Sequence, residues 1–151
     1  MLWIPVKSQI LKIQNKMTDT RWIQRFHNYQ KALSQLSRFM KQKVLNEMEE
    51  QGLIQSFEYT FELAWKTLQD ILEEKGGYTD VKGPRPVLMR AFQDGYLKNG
   101  EKWMEMLLDR NRTVHTYDEQ IAHQISKAIT DDYFTLFIDL EVRLSKVSES
   151  L

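Results

Sequence analysis

Apolar residues recur at helical spacing along nearly the whole 151-residue chain, and no segment alternates between apolar and polar residues as a strand does. The first such run steps by three and four residues through Trp22, Phe26, Tyr29, Leu33, Leu36 and Met40. This spacing puts its members on one face of a helix. The sequence therefore predicts an all-α fold, with a long first helix over residues 20–48.

Glycine and proline residues mark the limits of the next helices. Gly52 interrupts the apolar pattern, and the second helix that follows stops at Gly76-Gly77, which is a C-cap signal. Pro84 and Pro86 suit the first turn of a short third helix, because proline is compatible with helix starts. We expect this third helix to reach residue 92 and to end near Gly95.

A fourth helix is predicted to begin near Gly100, and a fifth to run from residue 117 to about residue 148. Short connections between long helices favour antiparallel neighbours. The predicted architecture is therefore an up-and-down antiparallel bundle of four to five helices.

Composition limits the class of protein. The chain suits one domain, and we expect residues 17–151 to form it, with residues 1–16 as a poorly integrated N-terminal extension. Cysteine is absent, which excludes disulfides and thiolate metal sites and suits a reducing compartment. No signal peptide or membrane-spanning stretch is recognisable, so we expect a cytoplasmic protein without a membrane partner. The formal net charge is zero, which argues against indiscriminate nucleic-acid binding.

Residues 110–117 read Arg-Asn-Arg-Thr-Val-His-Thr-Tyr and carry the densest functional chemistry of the chain. On an unbroken helix, Arg110 and His115 would point roughly 140° apart. Thr116 and Glu119 have the spacing of a capping box, which predicts a helix break before residue 116. An arginine and a histidine beside a helix N-terminus are typical of a phosphate site.

Arg110 is predicted to lie on the inward face of its helix, since it follows three apolar residues at helical spacing: Trp103, Met106 and Leu107. A guanidinium on that face needs a partner, because burying an unpaired charge is costly. One alternative is a salt bridge to a carboxylate nearby in sequence, Glu105 or Asp109. The other is a cleft in which Arg110 binds a ligand.

Other polar residues give weaker indications. Glu58 and Glu62 have i, i+4 spacing, but without an interleaved histidine they are better explained as solvated or salt-bridged carboxylates than as metal ligands. His123 is expected on the surface or at an interface. No phosphate loop and no nucleotidyltransferase motif is present, so the chain is not expected to transfer nucleotides itself. No metal and no cofactor are predicted.

The pattern Arg-x4-His-x-Tyr, with asparagine directly after the arginine, resembles the signature of the HEPN superfamily. More narrowly, it resembles the HepT-like, nucleotidyltransferase substrate-binding branch, the toxin half of pairs of the MntA/HepT type. Residues 57–66, 83–85 and 103–107 also match residues of that branch, and the resemblance spans about residues 18–147.

The resemblance implies an all-helical bundle that forms homodimers and is encoded beside a minimal nucleotidyltransferase. Several such relatives are RNA-cleaving toxins. Carried onto this sequence, it makes Arg110 and His115 the candidate catalytic residues and Asn111 a supporting residue. Tyr117 matches the tyrosine that the partner nucleotidyltransferase can modify by adding AMP.

Two functions fit the same residues. The first is a metal-independent endoribonuclease, in which His115 transfers protons and Arg110 stabilises charge, neutralised by the cognate nucleotidyltransferase. The second is a non-catalytic subunit that binds a substrate or nucleotide for that enzyme. Both require an anion site at the same place, and the ligand is RNA in the first case and a phosphate or nucleotide in the second.

Overall fold

The computed structural model describes the backbone of residues 6–150 and the side chains at residue 9 and from residue 21 to residue 150. Its helices are α1 (Val6–Met40), α2 (Glu47–Gly76), α3 (Pro84–Gln93), α4 (Gly100–Arg112), α5 (Glu119–Ala128) and α6 (Phe134–Glu149). Within this part of the chain there is no β-strand. The all-α helical bundle predicted from the sequence is confirmed.

The predicted extension at the N-terminus falls largely outside the described residues. Its backbone is described only from residue 6, where α1 begins, and its side chains only at residue 9. The division into an extension over residues 1–16 and one domain over residues 17–151 therefore stays a prediction. No helix of the described residues is both long enough and apolar enough to cross a membrane.

The boundary between α1 and α2 differs from the predicted one. The break lies at residues 41–46, before Gly52 rather than at it, and Gly52 is inside α2. Asn46 caps α2: its side chain accepts the Glu49 amide at 2.8 Å, while the Glu49 carboxylate accepts the Asn46 amide at 3.0 Å. A Cβ on Gly52 would lie 3.1 Å from the Phe39 ring, so glycine here allows α1 to approach α2 closely.

The end of α2 and the start of α3 follow the predicted signals. Gly77 closes α2 in the left-handed conformation, with φ of 70°, and Pro84 opens α3. The predicted fifth helix consists of α5, a π turn over Ile129–Tyr133, and α6. Because a π turn adds a residue to a helical turn, it changes which side chains of α6 face inward.

An aromatic core joins the helices. α1 packs along α2, and α6 packs against α1. The buried Tyr29 of α1 donates its hydroxyl proton to the Phe137 carbonyl of α6 at 2.6 Å. Phe137 also meets the Trp103 ring of α4 edge-on at 5.7 Å, and Phe57 of α2 stacks on Tyr133 at 5.7 Å. These contacts hold α4 in the bundle and so fix where its C-terminal end lies.

Candidate functional site

The connection from α4 to α5 is a 3₁₀ turn over Thr113–His115, so the helix does break between Arg110 and Tyr117 as predicted. Thr113 is buried, and its hydroxyl donates to the Arg110 carbonyl at 2.7 Å. The Thr116 amide and hydroxyl both donate to the Thr113 carbonyl, at 3.3 and 2.9 Å. These bonds close the end of α4 and hold the turn in one shape.

The cap of α5 is not the predicted one. Asp118, not Thr116, is the N-cap residue, and its carboxylate accepts the amides of Gln120 at 2.9 Å and Ile121 at 3.4 Å. The Thr116 hydroxyl instead points back across the turn and donates to the Thr113 carbonyl. An aspartate at this position satisfies helix N–H groups and adds a negative charge beside them. The expectation that these N–H groups form an anion site is therefore wrong.

Arg110 lies at the edge of the core, as its spacing predicted. Trp103, Met106 and Leu107 are buried, while the Arg110 side chain is 33% exposed. Its Nη2 donates to Glu62 Oε1 of α2 at 2.8 Å. The buried Nε has no hydrogen-bond partner in the described residues.

The predicted partners of Arg110 were wrong. Glu105 pairs with Lys102 at 3.1 Å, and Asp109 pairs with Arg112 at 3.0 Å, each within one turn of α4. The actual partner, Glu62, is distant in sequence, on another helix. The sequence identified Glu62 as a solvated or salt-bridged carboxylate, which is confirmed, but nothing in it relates position 62 to position 110.

A second polar cluster, which sequence reasoning missed, holds the last turn of α4. Tyr133, at the end of the π turn, donates its hydroxyl proton to Asp109 Oδ2 at 2.5 Å. Burial and the neighbouring Asp109 carboxylate raise the pKa of Tyr133 above its ordinary value, so the hydroxyl keeps its proton. Arg112 joins Asp109 to Gln124 of α5 through its two Nη atoms, the latter bond being 2.7 Å. The Arg112–Gln124 bond thus connects α4 to α5 directly, in addition to the turn between them.

His115 and Tyr117 lie together on the surface. The Tyr117 hydroxyl is 3.3 Å from His115 Nδ1, and the two rings meet edge-on with centroids 5.9 Å apart. Tyr117 is 82% exposed, and His115 and Asn111 are also exposed. Among the described residues no hydrogen bond joins Arg110 to His115. The site thus has two parts, a tethered arginine and an exposed histidine–tyrosine pair, separated by the 3₁₀ turn.

A cleft of about 270 Å³ adjoins this pair, between the start of α2 and the start of α5. Its lining includes Tyr117, His123 and Glu50. His123 is exposed, as predicted, and its Nδ1 lies 2.8 Å from Glu50 Oε1. The hydrogen bond to the Glu50 carboxylate raises the pKa of His123. The described residues contain no group of three or more His, Cys, Asp or Glu side chains able to hold a metal ion.

The protein is an all-α bundle in which Arg110 precedes the 3₁₀ turn and His115 ends it. Comparison with known proteins identifies its family. The model of the family "Nucleotidyltransferase substrate binding protein like" matches residues 24–146. The chain belongs to this family. The resemblance to its HepT-like branch is therefore confirmed.

Known relatives agree with this assignment. A protein of Haemophilus influenzae (strain ATCC 51907 / DSM 11121 / KW20 / Rd), described as a probable ribonuclease HepT, is 32% identical over 83 residues. That alignment covers 53% of this chain and 57% of the relative, so the chain spans little more than half the length of the curated relative it matches.

Two solved structures have a similar fold. A crystal structure of a Thermus thermophilus protein is 36% identical, with a TM-score of 0.71, and the match covers 77% of this chain and 98% of that one. A Haemophilus influenzae structure, reported to reveal the fold of a substrate binding domain of a nucleotidyltransferase, is 26% identical with a TM-score of 0.62. The second match covers 84% of this chain and 98% of that one.

Proposed function

We propose that this protein is a HEPN-type, metal-independent endoribonuclease that works with, and is neutralised by, a separately encoded minimal nucleotidyltransferase. The observation that carries the proposal is the turn after α4. A partly exposed guanidinium, that of Arg110, precedes this turn, and an exposed imidazole, that of His115, ends it. The similarity to the probable ribonuclease HepT supports an RNA substrate.

The proposed reaction needs only proton transfer and charge stabilisation. A base takes the proton of a ribose 2′-OH, and the 2′ oxygen attacks the neighbouring phosphorus. The 5′ oxygen then leaves with a proton from an acid, so the products carry a cyclic phosphate and a 5′-hydroxyl. His115 supplies proton transfer, and Arg110 stabilises the negative charge that develops on the phosphorane. Asn111, exposed beside Arg110, supports the site by orienting a group of the substrate.

Each chain contributes one histidine, His115, to the proposed site, and one histidine can act as the acid or as the base in a given step. The reaction is therefore best served by two copies. We propose a homodimer in which two Arg110–His115 sites share one cleft. An apolar groove of about 760 Å³ between α3 and α4 is the face we assign to the second copy. Met89, Phe92 and Leu108 on this face are each about half exposed, and Asn111 follows Leu108 by one helical turn. A copy bound there would lie beside the turn.

Tyr117 is proposed as the point of control by the partner enzyme. Its hydroxyl oxygen would attack the α-phosphorus of ATP, forming a phosphodiester and releasing pyrophosphate, while the phenolic proton passes to a base of the partner. The 82% exposure of Tyr117 gives the partner access, and its contact with His115 puts the added AMP beside the proposed catalytic histidine. The added charge and bulk would then exclude an RNA phosphate.

The alternative function is a non-catalytic subunit that binds substrate for the nucleotidyltransferase. The family description and the similarity to the Haemophilus influenzae structure support it. In this case Arg110 and His115 bind a phosphate or a nucleotide without breaking a bond. Either function suits the cytoplasm, where we propose that the cysteine-free chain and its partner meet.

Expression in bacterial cells tests the proposal against the alternative. We expect the protein alone to arrest growth, and co-expression of the neighbouring nucleotidyltransferase to restore it. The His115→Ala variant should allow growth without the partner. Normal growth of cells that express the wild-type protein alone, at a level confirmed by immunoblot, would favour the non-catalytic subunit.

A further inference from the structure

We propose that Glu62 is the positioning residue of the Arg110 guanidinium. It would hold that group at the orientation in which it meets the substrate phosphate. This inference rests on the proposed ribonuclease function, because it assigns a role within the same site. Glu62 belongs to α2 and Arg110 to α4, so their contact also connects the core of the bundle to the end of the helix before the turn.

The contact geometry supports this role. Arg110 Nη2 and Glu62 Oε1 are 2.8 Å apart, a charge-assisted hydrogen bond at its normal length. Within residues 21–150 no other carboxylate pairs with this guanidinium, and Arg110 Nε is buried without a partner. The arginine side chain is long and flexible, and the bond from Nη2 to Glu62 fixes the plane of the guanidinium. The direction of the other Nη atom follows from that plane. Glu62 therefore decides where the exposed part of the guanidinium lies.

The Glu62 carboxylate contacts two cations. Lys66, one helical turn further along α2, lies 3.7 Å from Glu62 Oε2. Two cations thus share one carboxylate, and the cluster of three side chains keeps a net positive charge. Glu62 can accordingly orient Arg110 without cancelling the attraction of the cluster for an anion.

A purely stabilising salt bridge is the competing explanation. The side chains of Arg110 and Glu62 are 33% and 30% exposed, so solvent screens part of their interaction and limits what the pair contributes to stability. A positioning residue and a stabilising one can be separated by substitution. Loss of position lowers kcat while the fold persists, whereas loss of stability lowers the melting temperature.

The experiment compares three variants of the full chain with the wild type. Glu62→Ala removes the acceptor, and Glu62→Gln keeps an oxygen able to accept the Arg110 bond while removing the charge. Glu58→Gln, one turn earlier on α2, removes the same charge from a half-buried position that has no ion pair in the described residues, and is the matched control. Each is assayed for kcat and KM on a labelled single-stranded RNA, for thermal melting, and for rotation of the Arg110 guanidinium by ¹⁵N NMR.

We expect Glu62→Ala to lower kcat by roughly 10²-fold, as misplacement of a catalytic group by about 1 Å does, with little change in KM or melting temperature. Glu62→Gln should recover most of the lost kcat, and Glu58→Gln should match the wild type. Unchanged kcat in Glu62→Ala would overturn the proposal while leaving the ribonuclease function intact. A Glu62→Gln protein as impaired as Glu62→Ala would overturn it as well.

The NMR measurement keeps the two proposals distinguishable. If the wild-type protein cleaves no RNA, the ribonuclease proposal fails, but the orientation of Arg110 is still measurable. Slow guanidinium rotation in the wild type and Glu62→Gln, with fast rotation in Glu62→Ala, would then preserve Glu62 as the residue that positions Arg110 for anion binding. Equal rotation in all variants would overturn the inference.

Discussion

The histidine and the arginine of the proposed site have different surroundings. Arg110 is tied to another helix by a single carboxylate, whereas His115 is exposed and contacts the hydroxyl of a tyrosine two residues away. A fixed cation and an accessible proton carrier suit a reaction in which the phosphate must be held and the proton must move. Tyr117 is the residue whose modification we propose to block the site, because it is both exposed and next to His115.

The modification of Tyr117 can be measured directly. After incubation with the cognate nucleotidyltransferase and ATP, mass spectrometry should find one or more AMP units on Tyr117, and the modified protein should be inactive. Tyr59, a tyrosine that is 58% exposed on α2, should stay unmodified and is the matched control. An unmodified Tyr117 in a fully neutralised complex would mean that the partner acts by binding alone. A Tyr117→Phe variant that is still silenced would mean the same.

At the level of the helices, the start of α5 shows how local competition decides a boundary. Thr116 and Glu119 have the capping-box spacing, yet the Thr116 hydroxyl bonds back to Thr113 and leaves the cap to Asp118. The 3₁₀ turn thus extends the gap between the helices. The Asp118 carboxylate occupies the N–H groups at the start of α5, so the anion site that we propose depends on Arg110.

Substitution of the cap residue tests this boundary. Asp118→Ala should lower the free energy of unfolding by about 1 kcal/mol, the typical cost of losing an N-cap side chain. Thr116→Ala, which removes only a bond to the Thr113 carbonyl, is the control and should cost less. Urea unfolding followed by circular dichroism measures both. A larger loss in Thr116→Ala than in Asp118→Ala would restore Thr116 as the cap.

Local signals in the sequence were sufficient for most helices but not for contacts between them. Gly77 marks the end of α2 and Pro84 the start of α3, because the backbone preferences of glycine and proline alone favour these positions. The prediction that Gly52 interrupts a helix was wrong. Glycine at this position leaves room for the Phe39 ring of α1, a contact that sequence spacing does not reveal. The break between Arg110 and Tyr117 was predictable from nearby residues. Glu62 as the partner of Arg110 was not, since 48 positions separate them.

At the scale of the whole molecule, residues 21–150 leave one apolar face uncovered. Its aromatic core is filled by rings from α1, α2, α4 and α6, but Phe92 and Leu108 between α3 and α4 remain half exposed. Soluble proteins rarely leave a large apolar groove uncovered. The homodimer that we propose would cover it and bring two copies of the turn after α4 to one cleft.

Sedimentation tests the homodimer. The wild-type protein should sediment as a dimer at micromolar concentration, and Leu108→Glu should shift it to monomer because a charge would enter the buried interface. Val142→Glu on α6, at a position 50% exposed, is the matched control and should leave the dimer intact. A monomeric wild-type protein would remove the mechanism that uses two histidines.

We propose that this chain cleaves RNA by means of Arg110 and His115 without a metal. The most direct measurement is cleavage of a labelled single-stranded RNA by the purified wild-type protein in the presence of a chelator, beside His115→Ala and Arg110→Ala proteins of unchanged helicity and melting temperature. We predict cleavage that leaves 5′-hydroxyl ends, that resists the chelator, and that each substitution abolishes. Cleavage that requires a divalent metal, or that survives both substitutions, would contradict the claim.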